Sequence, residues 1–71
     1  MDEDYVAVDV VLKAVREKSI LVSAAEDPTV QAWIGRGCIF GPDDSGLDKL
    51  RTPQQTTIHI FRWLAQKEGL I

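Results

Sequence analysis

The chain has 71 residues and a mass of 7.9 kDa, room for one small domain spanning 1–71 and no second. Hydrophobic residues make up 45% and charged residues 27%, which excludes wholesale disorder, a state that needs low hydrophobicity and high net charge. Eleven acids against eight bases leave a net charge of −3 and a pI near 4.9, so nonspecific duplex binding, which needs a basic face, is disfavoured. One cysteine cannot form an internal disulfide. No apolar run approaches the roughly 18 residues of a membrane span, and Met1-Asp2-Glu3-Asp4 has the wrong charge for the start of a signal peptide. The expectation is a small, acidic, cytoplasmic domain with no membrane contact. A chain this short removes only about 60% of its surface from water, so a partner would stabilise it, and a homodimer is expected.

Residues 5–16 read as a bent strand. Val6, Val8, Val10, Leu12 and Ala14 fall on one face at period two, and Asp9 and Lys13 fall on the other. Arg16-Glu17-Lys18-Ser19 is short and polar enough for a hairpin turn. A second strand covers 20–24. Ala25-Glu26-Asp27-Pro28-Thr29 forms a turn, with proline setting φ and the acids bonding local backbone. A third strand covers 30–34, alternating Val30, Ala32 and Ile34 against Gln31 and Trp33. Gly35-Arg36-Gly37 predicts a bulge or tight bend, and Cys38-Ile39-Phe40 a strand end or a single 3₁₀ turn. Residues 41–55 read as one long acidic loop, the kind of segment that is often functional in a compact domain.

The C-terminal segment has two readings. Thr52-Pro53-Gln54-Gln55 resembles a helix start, and a helix over 53–68 would align Ile58, Phe61, Leu64 and Ala65. The β-branched and aromatic run Thr56–Phe61 favours a strand at 56–61, followed by a short helix over 62–68 stopped by Gly69. The fold class expected is mainly β, α+β: a four-stranded antiparallel sheet, or a partly open SH3/OB-like barrel, with a short C-terminal helix.

Trp33-Ile34-Gly35-Arg36-Gly37-Cys38-Ile39 resembles a Trp-Ile-Pro-Lys-Ser-like motif. Arg62-Trp63-Leu64-Ala65-Gln66-Lys67-Glu68-Gly69-Leu70 resembles a Glu-Trp-Leu-Ala-x-x-Lys-Gly-Leu-like tail. Short uncharacterised phage and prophage proteins share this layout, with the first motif after a β-hairpin and an acidic segment between the two. Gly35 stands where those proteins carry proline, and Gly37 where they carry serine. The resemblance implies a viral origin and a small β fold. It implies no activity.

Cys38 and His59 are the one thiol and the one imidazole of the chain. A nucleophilic dyad needs a third group to orient the imidazole, and no flanking signature supplies one. Cys38 reads as a small buried hydrophobe and His59 as a solvent-facing strand residue. One Cys and one His make a poor zinc set, Asp43-Asp44-Ser45-Gly46 lacks the later ligands of a calcium loop, and Gly35-Arg36-Gly37 lacks the length and the lysine of a phosphate loop. No catalytic residue, metal or cofactor is expected.

Trp33 and Trp63 each read either as core aromatics or as exposed anchors for a partner, with Trp33 the better candidate for exposure. Arg36 between two glycines reads either as an exposed contact aimed by them or as a plain surface charge. The acids at Asp2-Glu3-Asp4, Glu26-Asp27 and Asp43-Asp44-Asp48 solvate turns or form a negative surface that attracts a basic partner. The expected function is a small acidic interaction module of phage type, acting on a host or phage protein with a basic surface, as an inhibitor or modulator of a host defence or nucleic-acid-handling protein. Its expected contact residues are Trp33, Arg36, Asp43, Asp44 and Asp48. The competing reading is a small barrel that stacks single-stranded nucleic acid on aromatics in a positive groove, with the net charge counting against it.

Overall fold

The computed structural model describes residues 4–71. The acidic pair Asp2-Glu3 lies outside the described residues. Four strands form one antiparallel sheet: β1 (Tyr5–Val15), β2 (Ser19–Ala24), β3 (Gln31–Gly35) and β4 (Gln54–Phe61). Their order is β3-β2-β1-β4, so the two longest strands lie in contact and β3 and β4 are the edges. The outer strands do not pair with each other, which makes an open sheet and not a barrel. Two short helices complete the α+β fold: α1 (Gly41–Leu47), and α2 (Arg62–Lys67), which follows β4 without a break.

Alternation places the core. Val8, Val10 and Leu12 of β1, Ile20 and Val22 of β2, Ala32 and Ile34 of β3, and Ile58 and Ile60 of β4 are buried and share one face of the sheet. Leu47 of α1 and Leu64 and Ala65 of α2 join the same cluster, as does Ile39. Full burial of each large aliphatic side chain contributes roughly 1.5–3 kcal/mol. The helices therefore cover one face of the sheet and leave the other uncovered.

The bend expected in β1 is a bulge, since the register with β2 shifts between Leu12 and Ala14. One extra residue reverses the alternation beyond it. Val15 packs against the core in the place where the unbroken period put Ala14. The first hairpin closes with Arg16 N–H on the Ser19 carbonyl at 2.8 Å. In the second turn the Asp27 carboxylate accepts the Thr29 amide at 3.0 Å and its hydroxyl at 2.6 Å.

The 41–55 loop is corrected in two places. Its first half is helix α1, because Pro42 sits in the first turn, where a missing N–H costs nothing, and Asp43 and Asp44 favour a helix N-terminus. Its last two residues, Gln54 and Gln55, already belong to β4. The strand reading of 56–61 holds over the continuous helix. Gly69, at φ +74°, ends α2: Leu70 N–H bonds the Ala65 carbonyl at 2.9 Å and Gly69 N–H the Gln66 carbonyl at 3.3 Å, the paired bonds of a Schellman cap.

Candidate functional site

Three of the five expected contact residues are bonded to one another. Gly35 leads directly into a 3₁₀ turn over Arg36–Cys38, and this bend points Arg36 at α1. The Arg36 Nε donates to Asp44 Oδ1 at 2.7 Å, and Nη2 to the Asp44 carbonyl at 3.2 Å. Nη1 and Nη2 donate to Asp48 Oδ1 and Oδ2 at 3.1 and 3.0 Å, and Nη1 also to the Arg16 carbonyl at 3.0 Å. A guanidinium has five N–H donors, and every one is used inside the molecule. Its side chain is 15% exposed. The Asp48 carboxylate, then that of Asp44, raises the Arg36 pKa above its ordinary value, and the Asp48 pKa is lowered mainly by its hydrogen bonds from Arg36. This cluster ties the first hairpin turn, the 3₁₀ turn and α1 together. It leaves Arg36 no free donor for a ligand.

Asp43 has a different task. Its Oδ2 accepts the His59 backbone N–H at 2.8 Å and stands 2.9 Å from His59 Nδ1. The His59 carbonyl accepts Phe40 N–H at 2.8 Å, and Ile39 bridges Ile60. The outer edge of β4 is closed at this point by a side chain and two residues of crossing chain.

Trp33 is 52% exposed on β3, with the Arg16 guanidinium 5.8 Å from its ring centroid. It stands on the face of the sheet that the helices leave uncovered, as do Tyr5, Ala7, Asp9 and Val11 of β1. Lys13 at the bulge of β1 and Ala14 beyond it, Leu21 and Ser23 of β2, Gln31 of β3, and Gln55, Thr57, His59 and Phe61 of β4 also lie on that face. The formal charges on it are Asp9 and Lys13, with the Arg16 guanidinium over the Trp33 ring.

The sequence reading missed the largest feature of this face, an aromatic corner where β1 starts and β4 ends. Tyr5 and Phe61 are paired across the two strands and stack at 5.0 Å. Trp63, 57% exposed, stacks on Phe61 at 6.2 Å, and Phe40 meets Tyr5 edge-on at 5.5 Å and His59 at 6.2 Å. The signal was present in the spacing Phe61-x-Trp63. It is legible only when the register that brings Tyr5 and Phe40 alongside is known. The Arg62 guanidinium beside this corner is paired with Asp4 at 2.6 Å.

Cys38 is partly buried against the core, and the hydrogen-bonded neighbour of His59 is Asp43. Among the described residues no three His, Cys, Asp or Glu side chains come together as a metal set. No helix is long and apolar enough to cross a membrane. What the geometry defines is a mainly β, α+β domain whose open sheet presents one aromatic-rich face with a single acid, Asp9. Comparison with protein-family models, curated proteins and solved structures finds no match to this chain.

Proposed function

We propose that this chain is a small, non-catalytic protein-interaction module of phage type, acting in the cytoplasm as an inhibitor or modulator of a host protein. The observation that carries this reading is the uncovered sheet face, where Trp33 is exposed at one corner, exposed Trp63 stacks on half-buried Phe61 and Tyr5 at the other, and Asp9 is the one acid. Aromatic enrichment with charge depletion marks the centre of protein interfaces, and buried tryptophans there carry much of the binding energy. The two phage-like segments contribute Trp33 and Trp63, one at each end of this face. The acids outside it, including Glu17, Glu26 and Asp27, favour a partner with a basic rim.

A second reading has its own support. Three stacked rings beside Arg62 are a platform on which bases of a single strand could stack. The pairing of Arg62 with Asp4 weighs against it, since the cation beside the platform is already engaged.

Affinity capture from host lysate with the wild type, Trp63→Ala and Gln66→Glu tests the choice. Gln66 is exposed on α2. A protein captured by the wild type and Gln66→Glu, and lost with Trp63→Ala, supports the interaction module. Binding of a fluorescent single-stranded oligonucleotide that weakens steeply with salt would replace it with the nucleic-acid reading.

A further inference from the structure

We propose that the uncovered sheet face is the interface of a two-fold symmetric homodimer. The proposal rests on the reading of that face as a docking surface and makes a second copy of this chain its occupant when no host protein is bound, so that the host protein competes with the dimer for the face. Charge is the first argument. Two copies at net charge −3 repel, so self-association must use the least charged surface. The face carries one carboxylate, Asp9, against Lys13, with Arg16 over Trp33, so the acidic excess of the chain lies elsewhere. Thr57 Oγ1 donates to Asp9 Oδ1 at 2.6 Å across the strands, and Asp43 holds His59. Glu17, Glu26, Asp27 and Glu68 lie in turns or at the end of α2, at the periphery or on the covered side.

Self-complementarity is the second argument. A two-fold interface uses one patch twice, so each contact appears in duplicate. Tyr5 pairs with Phe61 where β1 begins, beside the β4 edge. Trp33 pairs with Leu21, and Leu21 with Ala14 near the end of β1, at the β3 edge. The two aromatic groups therefore stand at diagonally opposite corners of the face. A two-fold axis lying between the faces along the other diagonal sets Trp33 of each copy on the Tyr5–Phe61 stack of the other. Ala7, exposed on β1 between Tyr5 and Asp9, then falls inside the contact.

Size is the third. A specific interface takes about 800 Å² from each partner. The molecule measures 34 × 25 × 17 Å and exposes 4595 Å², so one broad face supplies that area. Sheet-on-sheet packing also gives a domain too small for a deep core a second apolar layer.

Sedimentation equilibrium of the full chain tests the proposal with two variants that add the same charge, Ala7→Glu on the face and Gln66→Glu on α2. The wild type and Gln66→Glu are expected at twice the 7.9 kDa chain mass at about 100 µM. Ala7→Glu is expected at the single-chain mass, with unchanged circular dichroism. Trp33→Ala is expected to weaken dimerisation at least about tenfold. Wild-type protein that stays monomeric overturns the dimer, as does a dimer indifferent to Ala7→Glu and Trp33→Ala. A monomer whose capture of a host protein is lost in Trp63→Ala would overturn the dimer alone and leave the interaction module standing.

Discussion

Arg36 and Asp48 meet fork to fork, with Nη1 on Oδ1 at 3.1 Å and Nη2 on Oδ2 at 3.0 Å. Bidentate pairs of this kind are geometrically specific as well as strong. The same guanidinium also holds Asp44 and the Arg16 carbonyl, so one side chain fixes three segments. Arg36→Ala is expected to lower stability by about 1–2 kcal/mol, the net value of charge-assisted hydrogen bonds that water partly replaces. That corresponds to a fall in Tm of roughly 5–15 °C for a domain of this size. Arg36→Lys is expected to recover less than half of the loss, because an ammonium cannot serve both Asp44 and Asp48 in this geometry. A Tm within a degree of wild type would show that the cluster has no energetic role.

The same pair sets a response to acid. The Asp48 carboxyl is held below its ordinary 3.8 by Arg36, and that of Asp27 by the Thr29 hydroxyl and then its amide. A depressed folded pKa means the unfolded chain binds protons first as pH falls. The stability contributed is therefore fully present above about pH 4 and is lost as pH drops through the folded values. These groups give no slope between about pH 5 and 8. Thermal melts across pH 2–7 are expected to show a plateau that falls below about pH 4. Asp48→Asn is expected to lower the plateau and flatten the acid limb, and an unchanged limb in that variant would contradict the assignment.

Ser23 is fully buried on the uncovered face, between Val11 and Gln31, and its hydroxyl has no hydrogen-bond partner among the described residues. A buried hydroxyl without a partner costs stability on the order of 1–3 kcal/mol, and its removal leaves only a small change of volume. Ser23→Ala is thus expected to be neutral or to raise stability by up to about 1 kcal/mol, read from denaturant midpoints at constant m-value. A clear loss of stability would show that the hydroxyl is satisfied.

The strands and the C-terminal helix were legible because their signals are local. Val8-x-Val10-x-Leu12 and Ile58-x-Ile60 alternate in the way a half-buried sheet requires, and Gly69 closes α2 as a glycine at positive φ does. Helix α1 was hidden because Gly41, Pro42 and Gly46 read as breakers, whereas proline is harmless in a first turn. The role of Arg36 was hidden for a different reason. Its partners lie 8 and 12 residues ahead, on an element the sequence did not show, so between its glycines it reads only as an exposed contact or a plain surface charge. The aromatic corner is likewise a product of register: Tyr5, Phe40 and Phe61 are far apart in the chain and adjacent only once β4 pairs with β1.

Asp43 closes the outer edge of β4, and its removal is expected to open that edge. An edge strand presents unpaired N–H and C=O groups to any passing strand, and proteins block them with side chains, charges or crossing chain. Gln54-Gln55-Thr56-Thr57 carries no charge, and a groove of about 230 Å³ runs beside Thr56–Ile58 along α1. At His59 the block consists of the Asp43 carboxylate on the amide and Phe40 on the carbonyl. In Asp43→Ala the Phe40 bond remains, so the sheet stays formed, but the His59 amide loses its acceptor. Global stability is expected to fall by only about 0.5–1 kcal/mol, the range for a surface hydrogen bond. Hydrogen exchange at His59 is expected to speed up about tenfold while Ile58 and Ile60, bonded toward β1, are unaffected. The freed edge is also expected to add species larger than a dimer in sedimentation velocity as concentration rises, and Asp43→Asn, which keeps an acceptor oxygen, to suppress them. Unchanged exchange at His59 in Asp43→Ala, with no larger species, would mean that the crossing chain at Ile39–Phe40 closes the edge without help from the carboxylate.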